Sequence, residues 1–321
     1  MNYDIVGDIH GYADALTALL ADMGYRYRAG TWRHPDRQVV FVGDFIDRGP
    51  AQVETVAIVR RMVDAQSALA IMGNHEFNAI AWFTPDPEVP GEYLRRRHSG
   101  THGGRNFRQH EAFLREVNGT PKHKEIIDWF LTLPLWLELD DIRVVHACWH
   151  QNFIDGLKTI VGDEGSLSPG RMPEACREPA DPSDKDTPEF SVFKAVEAPT
   201  KGIEVELPAG HAFQDKDGHQ RSRVRVRWWD TGATTFRSAA LLSEQEREAL
   251  PPYPIPAHAL IGHDGGKPVF LGHYWLHGTP EPLSDKVACV DYSIAKGGKL
   301  VAYRWDGNPH LSADNMHWVG K

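Results

Sequence analysis

Cysteine is scarce. Cys148, Cys176 and Cys289 are the only three in 321 residues, and they form no C-x-x-C pair. Neither a disulfide framework nor a thiolate zinc site is expected, and a reducing cytoplasm is compatible with the chain. Positive charge is also in short supply: 35 Lys and Arg face 44 Asp and Glu, for a formal net charge of -9. Such a chain lacks the global field that draws proteins to DNA or RNA, so nucleic acid is not an expected partner. It has no apolar run of about 18 residues, so no membrane span is expected. The opening MNYDIVGDIHG lacks the basic and apolar regions of a signal peptide. The expectation is a cytoplasmic globular protein, large enough for one α/β domain with an insertion or for two ordinary domains.

What is present is a repeating strand and helix signal over the first 150 residues. Tyr3 to Val6, Val39 to Val42 and Ala68 to Met72 are short apolar runs, each closed by a glycine. Ala13 to Met23 and Val53 to Val63 carry apolar residues at helical spacing between them. This alternation predicts a mostly parallel sheet with helices packed on it. Residues 85 to 104 read as a loop. Helical patterns return at 107 to 117 and 122 to 131, and Ile142 to Val145 is a fourth strand. From about 151 to 255 the chain turns rich in Pro, Gly and charge and reads as an insertion or cap, with Arg223 to Trp229 alternating like an exposed strand. Strand patterns resume at Val269 to Leu271, Val287 to Val290 and Leu300 to Tyr303. Residues 311–321 read as a tail.

The informative residues sit just past the strand signals. Gly7-Asp8-Ile9-His10-Gly11 follows the first run and Gly43-Asp44-Phe45-Ile46-Asp47-Arg48-Gly49 the second. Gly73-Asn74-His75-Glu76 follows the third, His146-Ala147 the fourth, and Gly272-His273 the run at 269 to 271. Ligands of open α/β sheets bind beyond the carboxyl ends of the strands, so these residues are expected along one edge. Carboxylate, amide oxygen and imidazole make a mixed oxygen and nitrogen set that suits manganese, iron or zinc and disfavours copper(I). Two neighbouring cations repel and need an anionic bridge, for which Asp44 is the choice.

The strings GDIHG, GDFIDRG, GNHE, VVHA and LGH, in this order, resemble the calcineurin-like metallophosphoesterase superfamily. The nearest branch is that of the phosphoprotein phosphatases and their bacterial relatives, including diadenosine tetraphosphate hydrolases. The segment from Val290-Asp291 through Gly297-Gly298-Lys299-Leu300 is similar to that branch's closing strands. The resemblance covers about 1–150 and 256–310 as the core. It implies a four-layer α/β/β/α sandwich, with 151–255 covering the site.

By position it implies that Asp8, His10 and Asp44 hold one divalent cation. Asp44, Asn74, His146 and His273 would hold a second, manganese being expected and iron or zinc compatible. His75 would be the general acid, Asp47 its orienting carboxylate and Arg48 a phosphate clamp. Arg237 is the expected second phosphate-binding arginine, with Arg223, Arg225 and Arg227 as rivals. The implied reaction is hydrolysis of phosphomonoesters, including phosphoserine and phosphothreonine in proteins, by hydroxide held between the two cations. The phosphorylated substrate could be a protein, a nucleotide or a small molecule.

A dinucleoside polyphosphate hydrolase is the alternative, suggested by Gly272-His273-Tyr274-Trp275 and opposed by Asp47 and Glu76. A non-catalytic phospho-ligand binding module is the remote one. Two departures from the family pattern, Ala147-Cys148-Trp149 and Asp291-Tyr292-Ser293, bear on substrate class. His102-Gly103-Gly104 spells the fourth motif but has no strand before it, so His146 is preferred; Gly210-His211 and Gly262-His263 mimic the fifth, but only Gly272-His273 is followed at the right distance by the closing strands. Trp149, Trp228, Trp229 and Trp275 are candidates for stacking on a base, and Glu76 is expected to bond a loop.

Overall fold

The computed structural model describes residues 2–100, 102–214 and 220–320. Two sheets face each other. The larger runs in the order Asp291–Tyr292, Lys299–Trp305, Asn2–Val6, Arg37–Phe41, Ala68–Ala70, with Met316–Gly320 also on Lys299–Trp305. The second has four strands in the order Val287–Cys289, Val269–Leu271, Arg143–Val145, Trp136–Glu138. Asn2–Val6, Arg37–Phe41 and Ala68–Ala70 are mutually parallel. So are Arg143–Val145, Val269–Leu271 and Val287–Cys289. Every strand whose end carries a candidate ligand therefore belongs to a parallel set.

Side-chain alternation explains the layering, because successive residues of a strand point to opposite faces. Ile5, Val40, Ile71, Val301 and Tyr303 of the larger sheet pack against Val144, Phe270 and Ala288 of the second and form the inner core. Their sequence neighbours Val6, Phe41, Ala70, Val145, Leu271 and Cys289 face outward into a core shared with the helices. Ala13–Asp22 and Gln52–Asp64 supply Leu16, Leu19, Leu20, Val56 and Val59 to it.

Two sequence readings are corrected. Residues 151–255 are not one cap. Helices Gln151–Val161 and Val192–Lys201 bury Ile154, Leu157, Ala195, Val196 and Ala198 in the main core. Ala147 and Cys148 donate backbone N–H groups to the carbonyls of Pro199 and Ala198 at 2.8 and 3.1 Å. Only the part from about 203 onward has its own small core, built on Val205, Val224, Val226, Phe236, Leu250 and Ile255. The expected tail is likewise structured: Met316–Gly320 pairs antiparallel with Lys299–Trp305 from Tyr303↔Met316 to Lys299↔Gly320.

Candidate metal centre and phosphoryl-transfer site

The loops beyond the strand ends are short and strained. Nine described non-glycine residues have positive φ, and all but Ala29 and Gln66 lie here: His10, Asp44, Asp47, Arg48, His273, Trp275 and Ser293. Positive φ costs free energy for residues with a Cβ, and such strain gathers at functional sites. Close approach also requires glycine at 272, since a Cβ there would lie 2.1 Å from Asp8 Oδ1.

Asp44 is the hub. Its carboxylate and the side chains of His10 and His75 form one group of potential metal donors, all within 4.8 Å of one another. Asp44, His146 and His273 form a second such group. His10 Nδ1 donates to Ile46 O at 2.9 Å and His146 Nδ1 to Val42 O at 2.7 Å. In both rings this leaves Nε2 facing Asp44, at 3.8 and 3.5 Å. Such backbone bonds fix the tautomer a metal ligand needs. Asn74 Oδ1 lies 3.2 Å from His146 Nε2 and 2.8 Å from His273 Nδ1, joining the second group. Asp8 stands beside it, its Oδ2 accepting the His273 backbone N–H at 3.1 Å.

Among the buried atoms without a hydrogen-bond partner are Asp8 Oδ1 and His273 Nε2. Buried polar atoms are rarely left unpaired, and both are lone-pair donors. Electrostatics agree. Burial, with like charge from Asp291 and Asp44, pushes the Asp8 carboxyl well above the usual range. Burial and the nearby Asp44 push Glu76 up to about 7. Burial also raises Asp291. Asp44 is opposite: His146, His75 and His10 outweigh burial and hold it well below the usual range. Burial and His75 pull His10 down to about 4, and burial with the Arg225 charge pulls His273 well below its ordinary value. Crowded carboxylates beside the lowered imidazoles of His10 and His273 fit divalent cations in charge and in donor type.

Glu76 accepts the backbone N–H groups of Asp44, Phe45 and Gly73 at 2.8, 2.8 and 3.0 Å. It thereby shapes the Asp44 loop, the kind of loop bond expected of it. His75 opens the helix Asn74–Phe83 with its N–H on Asp44 Oδ1 at 2.9 Å and its Nδ1 2.5 Å from Asp47 Oδ2. Asp44 and Asp47 outweigh burial and raise the His75 pKa. A residue the sequence reading missed completes this unit. His110, fully buried on the helix Gly103–Val117, places Nδ1 2.8 Å from the same Asp47 oxygen. The only sequence signal is its place on a stripe with Phe113, Leu114 and Val117, where a core histidine would read alike.

Arg48 is exposed at the rim, its guanidinium carbon 5.5 Å from the Trp275 ring centroid. Arg237 does not join the cluster: its Nε donates to Leu250 O at 3.0 Å within the small core. Arg223 grips Asp186 with two bonds of 2.7 Å, and Arg227 bonds Ser238 O. Arg225 pairs with Glu204 at 3.4 Å, and its charge acts on His273. The rival histidines lie elsewhere. His263 Nε2 meets Lys267 O at 3.0 Å, and exposed His102 precedes the helix Gly103–Val117. Trp149, Trp228 and Trp229 are buried, whereas Trp275 is half-buried at the rim. Cys148 is fully buried and its thiol is pushed up by burial, which disfavours a thiolate.

The chain is 33% identical over 148 residues to bis(5'-nucleosyl)-tetraphosphatase PrpE (asymmetrical) of Oceanobacillus iheyensis, covering 46% of this chain and 55% of that one. It is 35% identical over 164 residues to the protein of the same name from Bacillus cereus, covering 48% and 60%. It thus spans less than two thirds of these relatives' own length. A cold-active protein-tyrosine phosphatase of a psychrophilic Shewanella superposes with a TM-score of 0.51 at 16% identity, over 97% of this chain and 80% of that one. That likeness is one of fold. No helix among the described residues is long and apolar enough to cross a membrane. The family model of calcineurin-like phosphoesterases matches residues 1–173, and the chain belongs to that family.

Proposed function

We propose that this chain is a metal-dependent hydrolase of P–O bonds. The observation that carries the reading is that Asp44 belongs to both donor groups while His75, seated on Asp47, faces the same carboxylate with Nε2 at 3.8 Å. Asp8, His10 and Asp44 would hold one divalent cation, and Asp44, Asn74, His146 and His273 the other. Manganese is the first choice for this donor set, with iron or zinc compatible. Bound there, the pair would lower the pKa of water and draw charge from the phosphoryl oxygens.

The rest is done by side chains. Arg48 offers a planar fork of donors to the phosphoryl group. As the bond from phosphorus to the leaving oxygen breaks, His75 Nε2 gives that oxygen a proton. Asp47 holds Nδ1 and stabilises the charged ring. A group acting this way typically contributes about 10²–10⁴ in rate.

For substrate we place a dinucleoside polyphosphate ahead of a phosphomonoester, supported by the names of the relatives. The second reading, a phosphomonoester such as phosphoserine, is favoured by the His75–Asp47 pair, because an alkoxide leaves poorly without a proton and a phosphate does not need one. The test is a comparison of kcat/KM by the purified, manganese-loaded protein on a dinucleoside tetraphosphate, a phosphoserine peptide and simple nucleotides. Preference for the tetraphosphate is expected. Preference for the peptide would reverse the order, and no hydrolysis of any of them, with iron or zinc in place of manganese as well, would sink the hydrolase reading.

A further inference from the structure

Trp275 sits on strained backbone that a buried carboxylate holds in place. Its φ is 54°, and its N–H donates to buried Asp291 Oδ2 at 2.7 Å. The other oxygen of Asp291 accepts the N–H of Ser293 at 3.0 Å, and Ser293 leads into the single turn Ile294–Lys296. One buried carboxylate thus anchors both the loop that carries the ring and the turn that carries Lys296.

The ring borders the metal groups, with its centroid 6.0 Å from that of His10. It also gathers cations. Lys296 Nζ lies 4.5 Å and the Arg48 guanidinium carbon 5.5 Å from the ring centroid. Both side chains are exposed, and neither makes an ion pair among the described residues, although salt bridges are frequent elsewhere on this surface. The negative face of an indole attracts such groups. It can keep a lysine near one position without neutralising it, as a carboxylate would.

A single phosphoryl group is already supplied by Arg48 and the donor cluster. Lys296 is a further positive charge at the same mouth, positioned by a dedicated anchor. We propose that Lys296 binds the phosphate next to the scissile one, so that the site takes a phosphoanhydride chain of two or more phosphates. This rests on the hydrolase reading above and gives its substrate preference a residue. Lysine suits the task, since a flexible ammonium follows the varying positions of a phosphate chain.

The test compares Lys296→Ala and Lys296→Arg with the wild type. One arm measures kcat/KM for a dinucleoside tetraphosphate and for p-nitrophenyl phosphate. The other measures calorimetric affinity for inorganic pyrophosphate and for inorganic phosphate, with manganese in excess. For Lys296→Ala the loss on the tetraphosphate and on pyrophosphate should exceed that on the single-phosphate probes by about tenfold or more, the size of one charge-assisted hydrogen bond. Lys296→Arg should restore most of it. Equal losses on both kinds of probe would overturn the proposal. So would a tetraphosphate loss caused by Trp275→Leu but not by Lys296→Ala, which would make the ring a platform for the base. If the wild type hydrolyses nothing, the hydrolase reading fails by itself, and the pyrophosphate arm still decides the role of Lys296.

Discussion

His110 places its Nδ1 2.8 Å from Asp47 Oδ2, the oxygen that lies 2.5 Å from His75 Nδ1. One carboxylate oxygen therefore serves two imidazoles. They are not equivalent. Burial, against the pull of Asp47, lowers the His110 pKa, whereas Asp44 and Asp47 raise that of His75 against burial. Asp47 itself stays ionised, because the two histidines outweigh burial and bring it down to about 2. His110 is then a neutral donor that fixes the carboxylate, and His75 is the ring that carries the mobile proton.

From this follows a contrast between two variants. His75→Ala should lower kcat by about 10²–10⁴ on alkyl phosphates, with a smaller loss on p-nitrophenyl phosphate, whose leaving group needs little protonation. His110→Phe should act through Asp47. It should weaken the same leaving-group dependence by a smaller factor and move the alkaline limb of the pH profile, with little change in KM. His110→Gln, which keeps a donor, should recover part of the loss. If His110→Phe lowers Tm but leaves the leaving-group dependence and the pH profile of the folded enzyme intact, its role is packing alone.

The insertion arginines make a second contrast. Arg225→Gln removes the charge that acts on His273, and it should raise KM and weaken inhibition by phosphate. Arg237→Gln removes a bond to a backbone carbonyl of the small core. It should cost stability, about 1 kcal/mol, seen as a lower Tm. Steady-state constants and thermal melts of both variants check this. A larger KM change at Arg237 than at Arg225 would restore the expectation drawn from the sequence.

That expectation shows where sequence reading ran out. The cluster around Asp44 was legible because each donor follows a strand signal and a glycine, and parallel strands bring such ends to one edge. Arg237 was not resolvable from its rivals, since a surface arginine carries no period or punctuation that tells which way it faces. His110 was hidden for the opposite reason: on the buried stripe of a helix a functional histidine and a packed one look alike. The helix Val192–Lys201 escaped notice because it contains Pro199 and buries Lys194. The ammonium of Lys194 is satisfied by the carbonyls of Asp184 and Thr187 at 2.9 and 3.1 Å, a long-range arrangement no local pattern reveals. Asp4 misled in the same way. It sits in a run read as apolar, fully buried, with Arg37, Arg304 and Tyr25 on its carboxylate.

The last prediction concerns removal of the cations. Without them the folded protein must bury Asp8, Glu76 and Asp291 with their pKa values raised, Glu76 to about 7. A raised carboxyl contributes stability that is complete below its unfolded pKa, near 4, and that is lost as pH rises through the folded value. The lowered histidines, His10, His110 and His273, pull the other way, but only below about pH 6.5, where their unfolded forms hold protons. Above that pH the carboxyls remain, joined by His75 and His146, whose pKa values are raised. The stripped protein should therefore lose stability between about pH 6.5 and 8. Cation binding needs its ligands deprotonated, among them Asp8 and His146, both of whose pKa values are raised, so its stabilisation should grow over that interval. At a hundredfold excess over Kd it amounts to about 2.7 kcal/mol per cation, enough for a Tm rise of several degrees. Thermal melts of chelator-treated protein, with and without manganese, at steps across this range are the measurement. A manganese-induced Tm rise that stays flat or shrinks with pH would mean that Asp8 and His146 do not hold the cations.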